Sequence, residues 1–212
     1  FRLVLCDIMM QGLDGFQFLE KLDHTGIQVP VVMMTGYSTM ENAVKSLAMG
    51  AVGYIPKPFT ADELLTIIRR SLRSGIFLEE AAAARLRGDR TMSYVPCPSG
   101  FHRLGYVSWV QMEDEGTARI GVSDLFLKAV DGIREFELSM VGEELVQGIS
   151  CAVATANDGA EHRIMCPVSG KILDVNEDTR GNPSLVEKDP FFRGWLYRIL
   201  PSNPDSNMQW LS

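Results

Sequence analysis

Three residues whose side chains can accept or bind a phosphoryl group lie at the ends of three separate apolar segments of the chain. Asp7 ends the first segment, Thr35 ends the second, and Lys57 comes just after the third. A carboxylate can act as nucleophile or metal ligand, a hydroxyl can donate a hydrogen bond, and an ammonium group can neutralise a developing anion. Taken singly, an Asp after a strand is more often a helix cap, and a Lys before Pro is more often a solvated charge.

The segments that carry these residues have the pattern of buried strands that alternate with amphipathic helices. The predicted strands are 3–5, 29–34 and 52–55, and the predicted helices are 16–22, 40–49 and 61–72. Such alternation indicates a parallel sheet, in which functional residues gather at the carboxyl ends of the strands. We therefore expect Asp7, Thr35 and Lys57 to lie close together.

Three motifs in this region occur in the order and at the spacing of a response regulator receiver domain. They are Asp7–Gly15, Met34–Tyr37 and Gly50–Phe59. Residues 1–74 closely resemble the second half of that domain, which implies an incomplete flavodoxin-like α/β fold with a parallel sheet. The resemblance also implies a cis peptide bond between Lys57 and Pro58.

The receiver resemblance further implies a role for each of five residues. Asp7 accepts a phosphoryl group from a histidine kinase, and the backbone carbonyl of Met9 joins Asp7 in holding Mg²⁺. Thr35 and Tyr54 form a switch pair, and Lys57 contacts the phosphate. A phosphoryl group on Asp7 adds negative charge and acceptor oxygens, so we expect Thr35 to move towards it and Tyr54 to rotate into the vacated space.

The paired acids that complete the receiver's metal site belong to a strand that would precede Phe1. By the same resemblance, that strand lies beside the first strand of this sequence. We expect that the sequence begins part-way through a longer protein, with a natural half-receiver as the alternative. Mg²⁺ is expected only if those N-terminal acids are present.

The charge distribution divides the chain into regions. Residues 1–74 hold seven basic and seven acidic residues, residues 75–98 hold three of each, and residues 99–212 hold ten and seventeen, which gives the net charge of −7. No overall basic field attracts nucleic acid or an anionic membrane, so we expect neither partner. Strong helix formers in 75–98 predict a helical linker.

The sequence contains no sign of export or of a metal-binding cysteine framework. No apolar run approaches the about 18 residues of a membrane span, and the N-terminus has no signal-peptide pattern. We therefore expect a cytoplasmic protein with reduced thiols, and we expect His102 and His162 to be exposed or capping. No CxxC pair occurs among the four cysteines, Cys6, Cys97, Cys151 and Cys166.

Residues 99–212 contain short predicted strands with frequent turns, which indicates a compact mainly-β domain. We predict a short helix between Ser123 and Val130. The predicted strands are 106–112, 118–122, 134–138, 149–155, 163–166, 171–175 and 195–200. The region resembles the glycine cleavage system H protein in its motifs Ser108–Val110, Gly121–Asp124, Cys166–Gly170, Val175–Glu177, Asp189–Pro190 and Gly194–Leu196.

The H-protein resemblance implies a lipoyl-carrier fold, a barrel-sandwich hybrid, whose lipoyl lysine lies at the tip of a hairpin. Counting back from Pro167 places that position at Gly159, and no lysine occurs between Lys128 and Lys171. Because lipoate is attached through a lysine amine, we expect none here. The pair Asp158-Gly159 predicts a two-residue type I′ turn at the tip.

That two-residue turn fixes the predicted pairing of the hairpin strands. Cys151 would face Cys166, and Val153 would face Ile164. A reduced apolar cysteine pair is the expectation for the cytosol, with a redox-responsive disulfide as the alternative.

Taken together, the sequence favours a non-enzymatic two-component response regulator with a non-lipoylated, protein-binding output domain. The expected partners are a histidine kinase and an unidentified protein, one candidate being an enzyme that binds lipoyl-carrier folds. The receiver resemblance also suggests a homodimer. The alternative is a phosphorylation-regulated lipoyl carrier in glycine cleavage and one-carbon metabolism, and a third hypothesis is a structural protein in which both domains have lost their chemistry.

Overall fold

The computed structural model of the chain describes residues 1–37, 39–89 and 93–212. These residues belong to two compact units, Phe1–Val95 and Pro96–Ser212. The first unit alternates strands with helices, whereas the second consists mainly of antiparallel strands. The predicted order of an α/β part followed by a mainly-β part is therefore confirmed. In the described residues, no helix combines the length and apolar character needed to cross a bilayer.

In the described part of the first unit, parallel strands alternate with helices. The strand order is β1-β2-β3, so β1 lies at one edge of the sheet. Val31, Val32 and Met33 of β2 are buried, as expected for the central strand of a parallel sheet. The elements are β1 (Val4–Asp7), α1 (Gly15–Thr25), β2 (Val31–Thr35), α2 (Met40–Ala48), β3 (Gly53–Pro56) and α3 (Ala61–Leu86).

Local capping explains where the longest helix of this unit begins. The Thr60 hydroxyl accepts a hydrogen bond from the Glu63 backbone N–H, and the Glu63 carboxylate accepts one from the Thr60 N–H. From this cap α3 runs for 26 residues. The helix predicted at 61–72 and the helical part of the predicted linker 75–98 are therefore one continuous helix.

The second unit contains antiparallel strands and short helices. Its described strands form a six-stranded sheet, in the order β4-β5-β6-β12-β11-β8, and a three-stranded sheet, in the order β10-β9-β7. The sequence did not predict β4, β8 or the three short helices near the C-terminus. The elements are β4 (Phe101–Leu104), β5 (Ser108–Met112), β6 (Ala118–Val122), α4 (Asp124–Ala129), β7 (Ile133–Leu138), β8 (Glu144–Leu145), β9 (Ser150–Ala156), β10 (Glu161–Met165), β11 (Gly170–Val175), α5 (Glu177–Gly181), α6 (Ser184–Lys188), β12 (Trp195–Pro201) and α7 (Pro204–Met208).

Tyr197 connects the two sheets of the second unit. The ring lies on β12 and is fully buried. Its hydroxyl donates a hydrogen bond of 2.7 Å to the Cys151 carbonyl on β9, and it accepts one of 2.8 Å from the Ser139 N–H. Burial raises the pKa of this phenol well above its ordinary value. Tyr197 thus fixes the six-stranded sheet against the sheet that carries the β9–β10 hairpin.

Candidate functional site

The parallel register of the first unit places three predicted site residues at one edge of its sheet. Asp7 is the last residue of β1, Thr35 is the last residue of β2, and Lys57 directly follows β3. The Lys57 Nζ contacts Oδ2 of Asp7, and the Lys57 backbone N–H donates a hydrogen bond of 2.7 Å to the Thr35 carbonyl. The structure therefore brings together the acid, the hydroxyl-bearing residue and the amine. The Lys57–Pro58 bond is cis, as predicted.

Both carboxylate oxygens of Asp7 are engaged. Oδ2 contacts Lys57, and Oδ1 accepts a hydrogen bond of 3.0 Å from the Met9 backbone N–H. The contact with Lys57 is the main cause, and the Met9 N–H a further cause, of a pKa below the ordinary value of 3.8 for this carboxyl. Asp7 is therefore ionised at neutral pH, which is the form needed in a nucleophile.

Thr35 has a fully buried side chain whose hydroxyl faces the loop that follows β2. It donates a hydrogen bond of 3.2 Å to the Tyr37 carbonyl and accepts one of 3.0 Å from the Tyr37 N–H. Because Lys57 holds the Thr35 carbonyl, a change at Thr35 is limited mainly to rotation of its side chain. The predicted partner of the switch, Tyr54, is partly buried on β3, pairs with Met33 and packs against the apolar core.

Asn42 extends this arrangement to helix α2, and the sequence reasoning missed it. Its side-chain amide donates a hydrogen bond of 3.1 Å to the same Tyr37 carbonyl that accepts from Thr35. Thr39 caps the helix by accepting from the Asn42 backbone N–H. The Thr-x-x-Asn spacing was the available signal, since the third residue after a cap lies beside the preceding loop.

The described residues do not by themselves fit a Mg²⁺ centre. This ion prefers octahedral oxygen coordination, with one or two carboxylates supplemented by water and substrate phosphate. The described part of the chain has no group of three or more His, Cys, Asp or Glu side chains that could hold a metal ion. Of the two predicted ligands, Asp7 contacts Lys57, and Met9 offers its N–H to that carboxylate.

In the second unit, Gly159 lies at the tip of the β9–β10 hairpin. The Gly159 N–H donates a hydrogen bond of 3.0 Å to the Ala156 carbonyl, and the Ala156 N–H donates one of 2.9 Å to Ala160. Gly159 has φ 85°, and no described residue other than glycine has a positive φ. The predicted type I′ turn at Asp158-Gly159 is therefore wrong, since it requires positive φ at both residues. The tip is a three-residue loop that ends in a left-handed glycine.

The extra loop residue shifts the pairing of the hairpin strands by one position. Val153 pairs with Arg163, and Ile164 pairs with Ala152, so the prediction that Val153 faces Ile164 is wrong. A register break follows Ile164, and Cys166 donates its backbone N–H to the Ile149 carbonyl at 2.8 Å. A three-residue loop in place of a two-residue loop accounts for this change.

Cys151 and Cys166 are not cross-strand partners as predicted, yet their thiols interact. Both side chains are buried, and all four cysteines of the chain are free. The interaction with Cys166, together with burial, raises the pKa of Cys151, and the two thiols donate hydrogen bonds to the Ile164 and Val168 carbonyls. Few thiolates are therefore present at neutral pH, which favours an unreactive pair.

Lys171 and His162 lie within strands of the second unit. Lys171, the next lysine after Gly159, is exposed within β11, where it pairs with Leu200 on one side and Glu144 on the other. The expectation that His162 is exposed or capping is wrong. It is buried on β10, with its ring edge-to-face against Phe126 at 6.2 Å.

Comparison with known families divides the chain as the two units do. The family model of the response regulator receiver domain matches residues 1–69, and that of the glycine cleavage H-protein matches residues 102–212. The glycine cleavage system H protein of Aeromonas hydrophila is 38% identical over 111 residues, which cover 51% of this chain and 81% of that protein.

Two solved structures are similar to separate parts of the chain. A glycine cleavage system H protein from Mycobacterium marinum is 25% identical and covers 50% of this chain and 87% of its own, with a TM-score of 0.47. The receiver domain of NtrX from Brucella abortus is 41% identical, with a TM-score of 0.32. This match covers 34% of the present chain and 61% of the NtrX chain, so less than two thirds of that receiver is spanned.

Proposed function

We propose that this chain, which belongs to the glycine cleavage H-protein family and also carries a response regulator receiver domain, is a two-component response regulator. In this proposal its H-protein unit is not lipoylated and binds a protein. The observation that carries the proposal is the convergence of Asp7, Thr35 and Lys57 at one sheet edge. Receiver domains generally interact with histidine kinases. Neither family is a catalytic enzyme domain, which is consistent with a non-enzymatic protein.

Asp7 is the nucleophile of the proposed phosphoryl transfer. Its carboxylate oxygen attacks the phosphorus of a phosphohistidine on the kinase, forming a P–O bond as the P–N bond breaks, and the imidazole leaves with a proton. The lowered pKa of Asp7 keeps the carboxyl ionised for this attack. Lys57 passes from the carboxylate to the incoming phosphoryl oxygens, where its charge stabilises the anion.

Thr35 converts this new charge into a change of packing. Its hydroxyl exchanges the Tyr37 carbonyl for a phosphoryl oxygen, which is the stronger, charged acceptor. Asn42 keeps the Tyr37 carbonyl hydrogen-bonded after Thr35 leaves. Tyr54 then rotates into the vacated space, and the surface of α2 and β3 changes with it.

Receiver domains generally bind Mg²⁺, which supplies positive charge to the phosphoryl oxygens. In the proposal, Asp7 and the Met9 carbonyl contribute to that site together with the acidic pair of a complete receiver. The described residues do not form the site alone, and none of the steps above passes through the ion.

The proposed role of the second unit depends on Gly159. H-protein domains generally carry lipoate, and the resemblance assigns the attachment position to Gly159, which has no amine. Hydrogen bonds from Gly159 to Ala156 and from Ala156 to Ala160 hold the tip of the hairpin. We infer that the unit binds a protein through this lipoyl-carrier fold, one candidate being an enzyme that recognises such folds, and that the protein works in the cytoplasm.

A small phosphodonor tests the receiver half of the proposal. A full-length chain that includes the acidic pair of a complete receiver is incubated with an acyl phosphate and Mg²⁺, and its intact mass is measured before and after mild acid or hydroxylamine treatment. We expect one labile phosphoryl group, absent in the Asp7→Asn variant. An unmodified wild-type chain would favour the structural protein in which both domains have lost their chemistry.

Expression in a lipoylating host tests the second half. We expect the wild-type chain to have its unmodified mass, while the Aeromonas H protein, expressed in parallel, gains a lipoyl group. A lipoyl adduct on the wild-type chain would instead support the alternative, a phosphorylation-regulated lipoyl carrier. Peptide mapping would then identify the modified lysine, with Lys171 as the first position to examine.

A further inference from the structure

The exposed pair Asp158-Gly159 has the chemistry of a self-modifying site. We propose that the β9–β10 tip forms a succinimide between these two residues and converts with time to isoaspartate at position 158. Both residues are exposed, and a Cβ on Gly159 would meet nothing within 4 Å. Glycine leaves its own backbone nitrogen without the side chain that shields it in other residues. This inference is independent of the proposed signalling function.

Two hydrogen bonds of the tip involve the groups that would react. Oδ1 of Asp158 accepts a hydrogen bond of 3.0 Å from the Ala160 N–H. That bond directs the carboxyl group forward along the chain, and the N–H of the intervening Gly159 donates a hydrogen bond of 3.0 Å to the Ala156 carbonyl. Ring closure at the tip therefore breaks only these two hydrogen bonds of an exposed loop, and it takes place in the open space beside Gly159.

The reaction is an internal dehydration followed by hydration, and it needs only water. The Gly159 nitrogen attacks Cγ of the protonated Asp158 carboxyl, the nitrogen loses its proton, and one carboxyl oxygen leaves as water. Water then adds to either carbonyl of the five-membered imide. Opening at Cγ restores aspartate, whereas opening at the main-chain carbonyl leaves the backbone passing through Cγ, which is isoaspartate.

The chain contains two other Asp–Gly pairs, which serve as internal comparisons. At Asp14-Gly15, the carboxylate is held on the Gln17 N–H at 2.8 Å as a helix cap. The Gly15 N–H donates to the Ile8 carbonyl at 3.0 Å, and a Cβ on this glycine would lie 2.6 Å from the Asp7 carbonyl oxygen. Ring closure there would break the start of α1, so this pair is protected.

Asp131-Gly132 lies close to the same hairpin tip but is covered by it. The Gly132 carbonyl accepts a hydrogen bond of 3.1 Å from the Asn157 N–H. The Asn157 side-chain amide occupies the position next to Gly132 where a Cβ would point. We therefore place this pair below Asp158-Gly159 in reactivity.

Isoaspartate at 158 would change the shape of the tip without changing its mass. The backbone gains a methylene group at this position, and the hydrogen bond between Ala160 and the Asp158 carboxylate is lost. The three-residue loop no longer has its native length. The product is a substrate for the class of methyltransferase that recognises isoaspartyl groups.

Peptide mapping tests the proposal on the folded full chain. After prolonged incubation at physiological temperature in mildly acidic buffer, trypsin releases peptides 3–21, 129–134 and 135–163, which separate the three Asp–Gly pairs. Electron-transfer fragmentation distinguishes isoaspartate from aspartate. We expect several-fold more isoaspartate at 158 than at 14 or 131. Equal or lower levels at 158 would overturn the proposal.

Two controls separate the sequence from the structure. Asp158→Glu, whose six-membered imide closes far more slowly, should lose the signal in peptide 135–163. In strong denaturant the three pairs should react at similar rates, because each is then the same dipeptide in a flexible chain. If the folded chain gives the same ratios as the denatured chain, the structural argument is wrong.

Discussion

Lys57 and Asp7 contact each other through their side chains although they are 50 residues apart in the sequence. Asp7 ends β1 and Lys57 follows β3, the two outer strands of the described sheet, and Thr35 ends the strand between them. The contact therefore depends on the order and register of all three strands. A site assembled in this way connects its protonation to the folding of the sheet.

Lys57→Met should raise the pKa of Asp7 towards its ordinary value of 3.8, because it removes the main cause of the lowered value. A carboxyl whose pKa is lower in the folded state than in the unfolded state stabilises the fold at pH values above its unfolded pKa. That stabilisation is lost as the pH falls through the folded pKa. The variant should therefore have a lower free energy of unfolding at neutral pH, and this free energy should fall less as the pH is lowered.

Carboxyl carbon NMR titration of Asp7 measures the first effect, and urea unfolding at several pH values measures the second. Lys57→Arg is the matched control, because it keeps a positive charge beside the carboxylate and should keep the pKa low. An unchanged titration of Asp7 in Lys57→Met would contradict the electrostatic role of the ion pair.

The sequence predicted the positions of Asp7, Thr35 and Lys57 because strand ends follow directly from the hydrophobic pattern. Parallel strands place their carboxyl ends at one edge whatever the side chains do there. The hydrogen bond from Asn42 to Tyr37 depends instead on a side-chain rotamer and on the path of a loop, and neither leaves a periodic signal.

The hairpin shows the same limit in the second unit. The pair Asp158-Gly159 located the turn, but whether the loop has two or three residues depends on the sign of φ at Asp158. That single angle changes the partner of Val153 from Ile164 to Arg163. The strand β8 was missed for a different reason, because a strand of only two residues has no alternation to detect.

Gly159→Lys should lower the free energy of unfolding by about 1–2 kcal/mol, because a side chain at φ 85° lies in the left-handed region. Gly159→Ala should cost a similar amount, since the strain arises at Cβ. The exposed Glu161→Lys should stay within about 0.5 kcal/mol of wild type. Urea unfolding compares the three variants, and a neutral Gly159→Ala would contradict the assigned loop conformation.

Gly121→Ala should lower the free energy of unfolding by about 1–3 kcal/mol through overpacking against Trp109. A Cβ at 121 would lie 2.7 Å from Cε2 of the indole. The ring cannot withdraw easily, because it is fully buried and its N–H donates to the Val122 and Pro190 carbonyls at 3.0 and 3.1 Å.

Equilibrium unfolding of Gly121→Ala, Trp109→Phe and the double variant forms a cycle that measures this contact. The smaller phenyl ring should make room for the methyl group, so the two losses should not add. Gly181→Ala is the control, because a Cβ there meets nothing within 4 Å. Additive losses in the double variant would show that the methyl group does not press on the indole.

The thiols of the native chain should react slowly with iodoacetamide at neutral pH. Burial raises the pKa of Cys97 to about 11, and the contact with Cys166 together with burial raises that of Cys151, so little thiolate is available to attack. Intact mass after timed alkylation should show all four sites modified readily in urea but not in the folded chain. Incubation with glutathione disulfide before unfolding should leave the mass unchanged. Loss of two hydrogens with an intramolecular bond between Cys151 and Cys166 would instead identify a redox-responsive pair.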